Sequence, residues 1–236
     1  MRIAERLSGR YGPALVLLLL TLTYTMAVPE GKWDGVGTIV LQSTALFATV
    51  AAAQADRRIV RPLTVILILA PLIAVAQAAL GDSDGPEYVR VGVLVIVLLS
   101  LPLVAAGLAR QVIEKRKITI QTMIGVLVAY LLLMSAFAYG YSVIGELASQ
   151  PFFAQGAEWN TLGDYIYFSV ITITTVGFGD LSPAGDLGRS LTAAEALIGQ
   201  IYVVTIVAAI VANVGRGRSD SGDRAERTGG SEGTRR

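Results

Sequence analysis

The sequence predicts an all-α membrane protein with six transmembrane helices and a re-entrant helix and loop between the last two. The chain has 236 residues, 53% of them hydrophobic, and its charged residues form short clusters between long apolar stretches. This distribution is typical of a protein that crosses the membrane several times. Six stretches approach the roughly 17–25 residues that span hydrocarbon. They are residues 11–28, 36–54, 62–80, 88–108, 118–144 and 188–213.

The basic residues predict the orientation of these segments. Most of them precede the first segment, join the second to the third and the fourth to the fifth, or follow the sixth. By the positive-inside rule both termini are then cytoplasmic, which requires an even number of spans. We therefore expect a multi-pass protein of the plasma (inner) membrane.

Residues 1–27 allow a second interpretation. Basic residues, an apolar run and the small-residue triplet Thr25, Met26 and Ala27 are also features of a cleaved signal peptide. Cleavage would leave five spans and place the new N-terminus outside. The segment is long enough to remain as a span, which favours its retention.

The chain contains no cysteine and no histidine. Disulfides, thiolate or imidazole metal sites and histidine-based catalysis are therefore excluded. These absences remove most enzyme classes. We expect a protein that is not an enzyme, needs no cofactor and binds no nucleic acid.

The most informative segment lies between the fifth and sixth apolar stretches. It reads Thr174-Thr175-Val176-Gly177-Phe178-Gly179-Asp180. Backbone carbonyls can replace the hydration oxygens of K⁺ when they form a ring around the ion. To aim successive carbonyls at one axis, alternate residues must leave the ordinary L-amino-acid regions, which glycine does at no steric cost. This requirement explains Gly177 and Gly179, and the Thr175 hydroxyl can add one more layer of oxygens.

This segment resembles the selectivity-filter signature of potassium channels, and residues 118–214 resemble their two-helix pore domain. The resemblance implies a homotetramer, because one chain supplies one pore loop and a filter needs four. It also implies a set of site residues. Those that coordinate K⁺ are Thr175, Val176, Gly177 and Phe178, and those of this segment that support the filter are Thr174, Gly179 and Asp180.

The run from Gly177 to Asp180 also matches the Gly-x-Gly-Asp element of intramembrane aspartyl proteases. Their chemistry needs a second aspartate facing the first, so that one proton is shared between two acids. The apolar segments before Thr174 carry no aspartate in mid-span, and Asp56 and Asp164 lie at predicted segment edges. The sequence therefore favours the channel.

The stretch that begins at about Thr161 is predicted to form the pore helix, with Asn160 or Thr161 as its N-cap. In the family, aromatic side chains of this helix form a cuff around the filter. The resemblance therefore implies that Tyr167 and Phe168 support the filter.

The chain departs from the family at two positions. Phe178 occupies the place of the usual filter tyrosine, and Ile171 that of a glutamate which, in some relatives, pairs with the filter aspartate. Asp180 is expected to lack that partner. The cuff must then hold the filter more by packing than by hydrogen bonds.

The sixth segment corresponds to the family's inner helix. Gly199 matches the position of its gating hinge, and close helix packing is the alternative explanation for a glycine that costs about 1 kcal/mol relative to alanine. The same correspondence implies that Gln200, Val203 and Val207 line the cavity.

Glu195 lies about two turns into this apolar segment. A carboxylate is expensive there and usually faces a partner or water. It is predicted to support the filter by bracing the pore helix from behind, through Thr172 or Tyr165. A solvated acid near the outer interface is the alternative.

Residues 1–110 resemble the four-helix voltage-sensor domain that precedes the pore in voltage-gated channels. A working sensor needs about three or four arginines on its fourth helix, and residues 88–108 contain Arg90 alone. We therefore expect a sensor-like domain without gating charges, and no steep voltage gating. A peripheral scaffold is the simplest role for it.

Two short segments complete the predicted organisation. Residues 111–117 are basic and are predicted to form an interfacial linker helix, which could contact anionic lipid. Residues 215–236 are rich in Gly, Ser, Arg and acids, and are predicted to form a disordered cytoplasmic tail.

These patterns predict a homotetrameric, potassium-selective channel that conducts K⁺ passively, with K⁺ ions and membrane lipids as its partners. A weakly selective cation channel of the same architecture is the nearest alternative, because the filter has few predicted hydrogen bonds around it. A potassium transporter subunit fits less well, since such proteins resemble four pore modules in one chain. A non-conducting membrane scaffold is the remaining class.

Overall fold

The computed structural model describes residues 10–28, 32–53, 87–115 and 119–229, together with residues 64, 65, 67, 69 and 72. These residues form α-helices and the loops between them. Within them, the only β-type pairing is an isolated bridge between Phe153 and Pro183. The all-α fold class predicted from the sequence is confirmed.

Six helices are described in these parts of the chain. They are α1 (Gly12–Ala27), α2 (Lys32–Ala52), α3 (Glu87–Lys115), α4 (Ile120–Leu147), α5 (Leu162–Ile173) and α6 (Asp186–Gly229). Five of the six predicted apolar segments fall on α1, α2, α3, α4 and α6, and the predicted pore helix is α5. The third predicted segment, residues 62–80, lies largely outside the described residues.

Among the described residues, two helices are long and apolar enough to cross a membrane: Ile120–Leu147, with a mean hydropathy of 2.0, and Asp186–Ala209, with 1.7. Gly12–Ala27, Val36–Ala52 and Val93–Ala109 are apolar but shorter. Six spans therefore stay a prediction. Helix α5 has 12 residues, which at 1.5 Å per residue is well short of the roughly 30 Å of hydrocarbon, as a re-entrant helix must be.

The structure differs from the sequence prediction at two helix ends. Helix α3 runs to Lys115, so residues 111–115 continue the fourth segment instead of forming a separate linker helix. Helix α6 runs to Gly229, where a disordered tail was predicted from residue 215. Extending an existing helix adds one hydrogen bond for each residue ordered and needs no core.

The first three helices and α4 share one apolar core. Leu18 of α1, Leu46 of α2, Val97 of α3 and Leu132 of α4 are all buried in it. Their burial joins the front half of the chain to the outer helix of the pore domain.

Helix α5 packs against α4, α6 and also α1. Leu22 of α1 belongs to the same buried cluster as Ile166 and Ile173 of α5. At Gly163, a Cβ atom would lie 2.8 Å from the carbonyl oxygen of Thr25, so the absence of a side chain lets the two helices touch. The first helix is therefore in direct contact with the pore helix.

Candidate functional site

The N-terminus of α5 is closed by reciprocal hydrogen bonds between Thr161 and Asp164. The Thr161 hydroxyl oxygen accepts from the Asp164 main-chain N–H at 3.2 Å, and Asp164 Oδ2 accepts from the Thr161 N–H at 2.9 Å. These bonds satisfy two of the donors that a helix start leaves free. Of the two caps predicted, Thr161 is the one observed.

The C-terminal end of α5 holds the start of the filter segment through its carbonyl groups. Val170 accepts from the main-chain N–H of Thr174 at 3.2 Å and from the Thr174 hydroxyl at 2.6 Å. The Ile171 carbonyl accepts from both Val176 and Gly177, at 2.9 Å each. The inner half of the filter segment is thus folded back onto the helix that precedes it.

The last two carbonyls of α5 are used as well. Thr172 accepts from the main-chain N–H of Thr175 at 2.9 Å. Ile173 accepts from the hydroxyl of Tyr130, on α4, at 2.9 Å. Helix ends leave such carbonyls free, and here they hold the filter segment and the outer helix.

The filter segment has positive φ at every second residue. The values are 58° at Thr175, 51° at Gly177 and 80° at Gly179, whereas Val176 and Phe178 between them have no positive φ. Such alternation turns successive peptide carbonyls toward the same side, while a regular strand turns them to opposite sides. The sequence predicted this alternation at the two glycines but missed Thr175. A β-branched residue rarely adopts positive φ, so only its register, two residues before Gly177, could have indicated it.

Asp180 has a partner that the sequence analysis did not predict. The hydroxyl of Tyr167 donates to Asp180 Oδ2 at 2.6 Å, and the main-chain N–H of Leu181 donates to Oδ1 at 3.1 Å. The hydrogen bond from Tyr167 lowers the pKa of the Asp180 carboxyl below its ordinary value. Asp180 has no glutamate partner at position 171, as expected, but the Tyr167 hydroxyl bonds to it instead.

Phe168 and Tyr167 face different surroundings. Phe168 is buried among the rings of Tyr141, Phe152 and Phe153, and its centroid lies 5.3 Å from that of Phe153 in an edge-to-face arrangement. Such ring pairs contribute about 0.5–1.5 kcal/mol beyond their buried area. Phe168 therefore anchors α5 to the loop after α4, while Tyr167 bonds to the filter segment.

This loop is also tied to the chain that follows the filter. The main-chain N–H of Ala154 donates to Ser182 at 2.9 Å, and that of Ala184 donates to Phe152 at 2.8 Å. The Gln155 side chain bonds to Ser182 at 3.1 and 3.2 Å. Sequence reasoning missed this connection, because it depends on two loops 27 residues apart.

Glu195 is fully buried, with 0% of its surface exposed. Tyr141 of α4 donates to its Oε2 at 2.7 Å, and Ser169 of α5 is hydrogen-bonded to its Oε1. The contact with the pore helix was predicted, but its partner is Ser169 and not Thr172 or Tyr165. The burial disagrees with the alternative of a solvated acid.

The remaining inner-helix residues divide between two faces of α6. Gly199 is buried against Ile173, whose carbonyl oxygen would overlap a Cβ at position 199. Gln200, Val203 and Val207 are exposed in the single chain, as residues that face a cavity between subunits would be. Close packing at Gly199 supports the alternative left open by the sequence, and its role as a hinge stays a prediction.

A short helix that ends in a segment of alternating backbone handedness, packed between two long apolar helices, is the arrangement expected of an ion-channel pore domain. Residues 119–216 match the family model described as "Ion channel". This range contains α4, α5, the filter segment and the apolar part of α6.

Several curated proteins are similar to the chain. Two pore potassium channel a of Oryza sativa subsp. japonica is 33% identical over 88 residues, which are 37% of this chain and 23% of that protein. Probable potassium channel protein 2 of Methanocaldococcus jannaschii is 32% identical over 96 residues, which are 39% and 24%. The delayed-rectifier potassium channel regulatory subunit KCNS1 of Pan troglodytes is 29% identical over 148 residues, which are 60% and 27%.

The chain spans about a quarter of the length of these relatives. The family match, the similar proteins and the geometry of residues 119–216 all indicate an ion-channel pore domain. The chain contains an ion-channel domain at residues 119–216 and is similar to members of the pore-loop potassium channel superfamily. The family match and the similar proteins indicate, as predicted, a channel and not an enzyme.

Proposed function

We propose that the protein is a potassium-selective channel that conducts K⁺ passively through a tetrameric filter. Thr175, Val176, Gly177 and Phe178 supply the coordinating oxygens. The observation that carries this proposal is the positive φ at Thr175, Gly177 and Gly179. A backbone that alternates in this way presents a column of carbonyls, which is what a dehydrated cation needs.

The surface of the single chain supports the tetramer. The side chains of Val176 and Phe178 are 54% and 70% exposed in the single chain. Large apolar side chains of α6, among them Leu197, Ile201 and Val204, are also more than half exposed. Neighbouring copies would cover this exposed apolar surface, and four pore loops are required to enclose an ion.

We propose six spans in a plasma membrane, with both termini cytoplasmic. The proposal rests on the distribution of basic residues and on the apolar helices α1 to α4 and α6. Steep voltage gating is not expected, because Val93–Ala109 of α3 is an apolar helix and the fourth segment contains Arg90 alone. The basic residues that follow Gln111 are a candidate contact for anionic lipid.

A weakly selective cation channel of the same architecture is the second candidate. The observation that favours it is the Phe178 ring, which has no hydroxyl to bond the outer half of the filter to its surroundings. The hydrogen bond between Tyr167 and Asp180 opposes it, since it supports the filter just beyond Phe178.

The two candidates differ in the reversal potential of the purified protein in a planar bilayer with KCl on one side and NaCl on the other. A potassium-selective channel gives a reversal potential far from zero, in the direction set by K⁺ leaving its own side. A value near zero with clear current identifies the weakly selective channel. An assembled Gly177→Ala variant is the control. Gly177 has a φ of 51°, a backbone conformation that is unfavourable for alanine. Current that persists unchanged in this variant would therefore contradict conduction through this filter.

A further inference from the structure

Glu195 joins the three helices of the pore domain in a part of the chain that water does not reach. The residue belongs to α6, and its two carboxyl oxygens contact hydroxyl groups of α4 and α5. Both partners, Tyr141 and Ser169, are neutral. An ionised carboxylate at this position would be buried without a countercharge among these partners, which is costly in an apolar environment.

The hydrogen atoms of this cluster can be counted. The Ser169 hydroxyl has one hydrogen, but two oxygen atoms lie in positions to accept it. One is the main-chain carbonyl of Met134 on α4, at 2.9 Å, and the other is Glu195 Oε1. If Glu195 is ionised, one hydrogen must serve both acceptors, and one close oxygen–oxygen contact has no hydrogen of its own.

A proton on Glu195 Oε1 removes this conflict. Glu195 then donates to Ser169 Oγ, and Ser169 donates to the Met134 carbonyl. Tyr141 donates to Oε2, which is the carbonyl oxygen of the neutral acid. Every hydrogen has one acceptor, and the cluster carries no charge.

We propose that Glu195 is a neutral carboxylic acid. Its proton forms a hydrogen bond to Ser169, and Ser169 donates to the Met134 carbonyl. These two hydrogen bonds hold the pore helix between the inner and outer helices. Glu195 is thus a positioning residue and does not touch the ion. Ser169 lies one turn before Thr172, whose carbonyl binds the main-chain N–H of Thr175. A displacement of Ser169 would therefore move the inner end of the filter. Only this last consequence rests on the proposed function.

The substitution Glu195→Gln tests whether a neutral group with one donor and one acceptor is sufficient at position 195. A glutamine amide accepts one hydrogen bond from Tyr141 through its oxygen and donates one to Ser169 through its nitrogen. It therefore reproduces the pattern of the neutral acid. If Glu195 were ionised, the amide would instead place a donor against Ser169 where an acceptor had been. Glu195→Ala removes both bonds in either case.

Infrared spectroscopy of the protein at neutral pH, in vesicles of ether-linked lipids that have no ester C=O group, tests the proton directly. Exposed carboxyl groups are ionised at this pH, so a carboxylic-acid C=O band arises from protonated, buried acids. We expect this band in the wild-type spectrum and its loss in Glu195→Gln. Glu158→Gln, which changes an exposed carboxyl in the loop before α5, is the matched control and should leave the band unchanged.

The thermal midpoint of the assembled protein tests the positioning role. We expect Glu195→Gln to melt close to wild type and Glu195→Ala to melt clearly lower. A spectrum in which Glu195→Gln removes only ionised-carboxylate intensity would overturn the proposal, and so would a Glu195→Gln variant as unstable as Glu195→Ala. Neither measurement requires ion flux, so their failure is distinguishable from a failure of the proposed potassium conduction.

Discussion

Gly199 of the inner helix lies directly against the carbonyl group of Ile173, the last residue of the pore helix. The same carbonyl oxygen accepts a hydrogen bond from Tyr130 of the outer helix. Four residues before Gly199, on the same face of α6, Glu195 bonds to Ser169. The inner helix therefore touches the pore helix at two successive turns, once through a backbone contact and once through a carboxyl group.

Gly199→Ala is expected to destabilise the assembled protein. A Cβ at this position would overlap the Ile173 carbonyl oxygen and lie 2.6 Å from Ile173 Cγ1. Overpacking of this kind typically costs about 1–3 kcal/mol. Thermal unfolding in lipid nanodiscs measures the effect.

Gly140→Ala is the control for this variant, because nothing lies within 4 Å of its Cβ position and alanine is the better helix former. Equal unfolding midpoints for the two variants would contradict a packing role at Gly199. A lower open probability at unchanged stability would instead favour the hinge.

Tyr167→Phe is expected to shorten the time for which the filter conducts. The variant removes the 2.6 Å hydrogen bond to Asp180 and keeps the ring. The measurement is the rate at which current decays during a sustained opening. It is compared among wild type, Tyr167→Phe, Asp180→Asn and the double variant. If the bond supports the filter, the effects of the single variants will not add in the double variant. Additive effects would mean that the two side chains act separately.

Acid on the outer side should weaken this support only at low pH. The hydrogen bond from Tyr167 lowers the pKa of Asp180. Its stabilisation is therefore complete above the ordinary carboxyl pKa and is lost as the pH falls through the lowered value of the folded protein. We expect wild-type current to be unaffected down to about pH 5. In Tyr167→Phe the loss of current should begin at higher pH than in wild type, and identical pH profiles would count against the bond.

Gly163→Ala should loosen the contact between the first helix and the pore helix. A Cβ at this position would lie 2.8 Å from the carbonyl oxygen of Thr25, so α1 or α5 has to move. The expected cost is about 1–3 kcal/mol, measured as a lower thermal midpoint. Gly12→Ala, at the start of α1 with nothing within 4 Å of its Cβ position, is the control. If both variants melt like wild type, the described contact does not contribute to stability.

Much of the pore domain could be predicted from local patterns. The filter segment needs glycine where the backbone takes positive φ, and Gly177 and Gly179 have φ values of 51° and 80°. The apolar runs indicated α4 and α6, and the residues around Thr161 indicated the start of α5. The all-α fold class followed from composition, because apolar segments in hydrocarbon must satisfy their backbone hydrogen bonds internally.

The contacts that hold the filter could not be predicted in this way. Tyr167 reaches Asp180 across 13 residues, and Glu195 reaches Ser169 across 26 and Tyr141 across 54. Which hydroxyl meets which carboxyl depends on the rotation of each helix about its axis and on its depth relative to its neighbours. The rotation and the depth of a helix cannot be read from a single sequence.

The sequence by itself therefore predicted the class of protein, the position of the proposed filter and the two glycines that adopt positive φ, because each follows from composition or from local sterics. The tertiary structure decided that Thr175 also takes positive φ, that Asp180 is bonded to Tyr167, and that Glu195 lies between two hydroxyl groups. These features arise only when three helices pack around the pore helix. At that point a buried polar group must use whichever partner the packing brings to it.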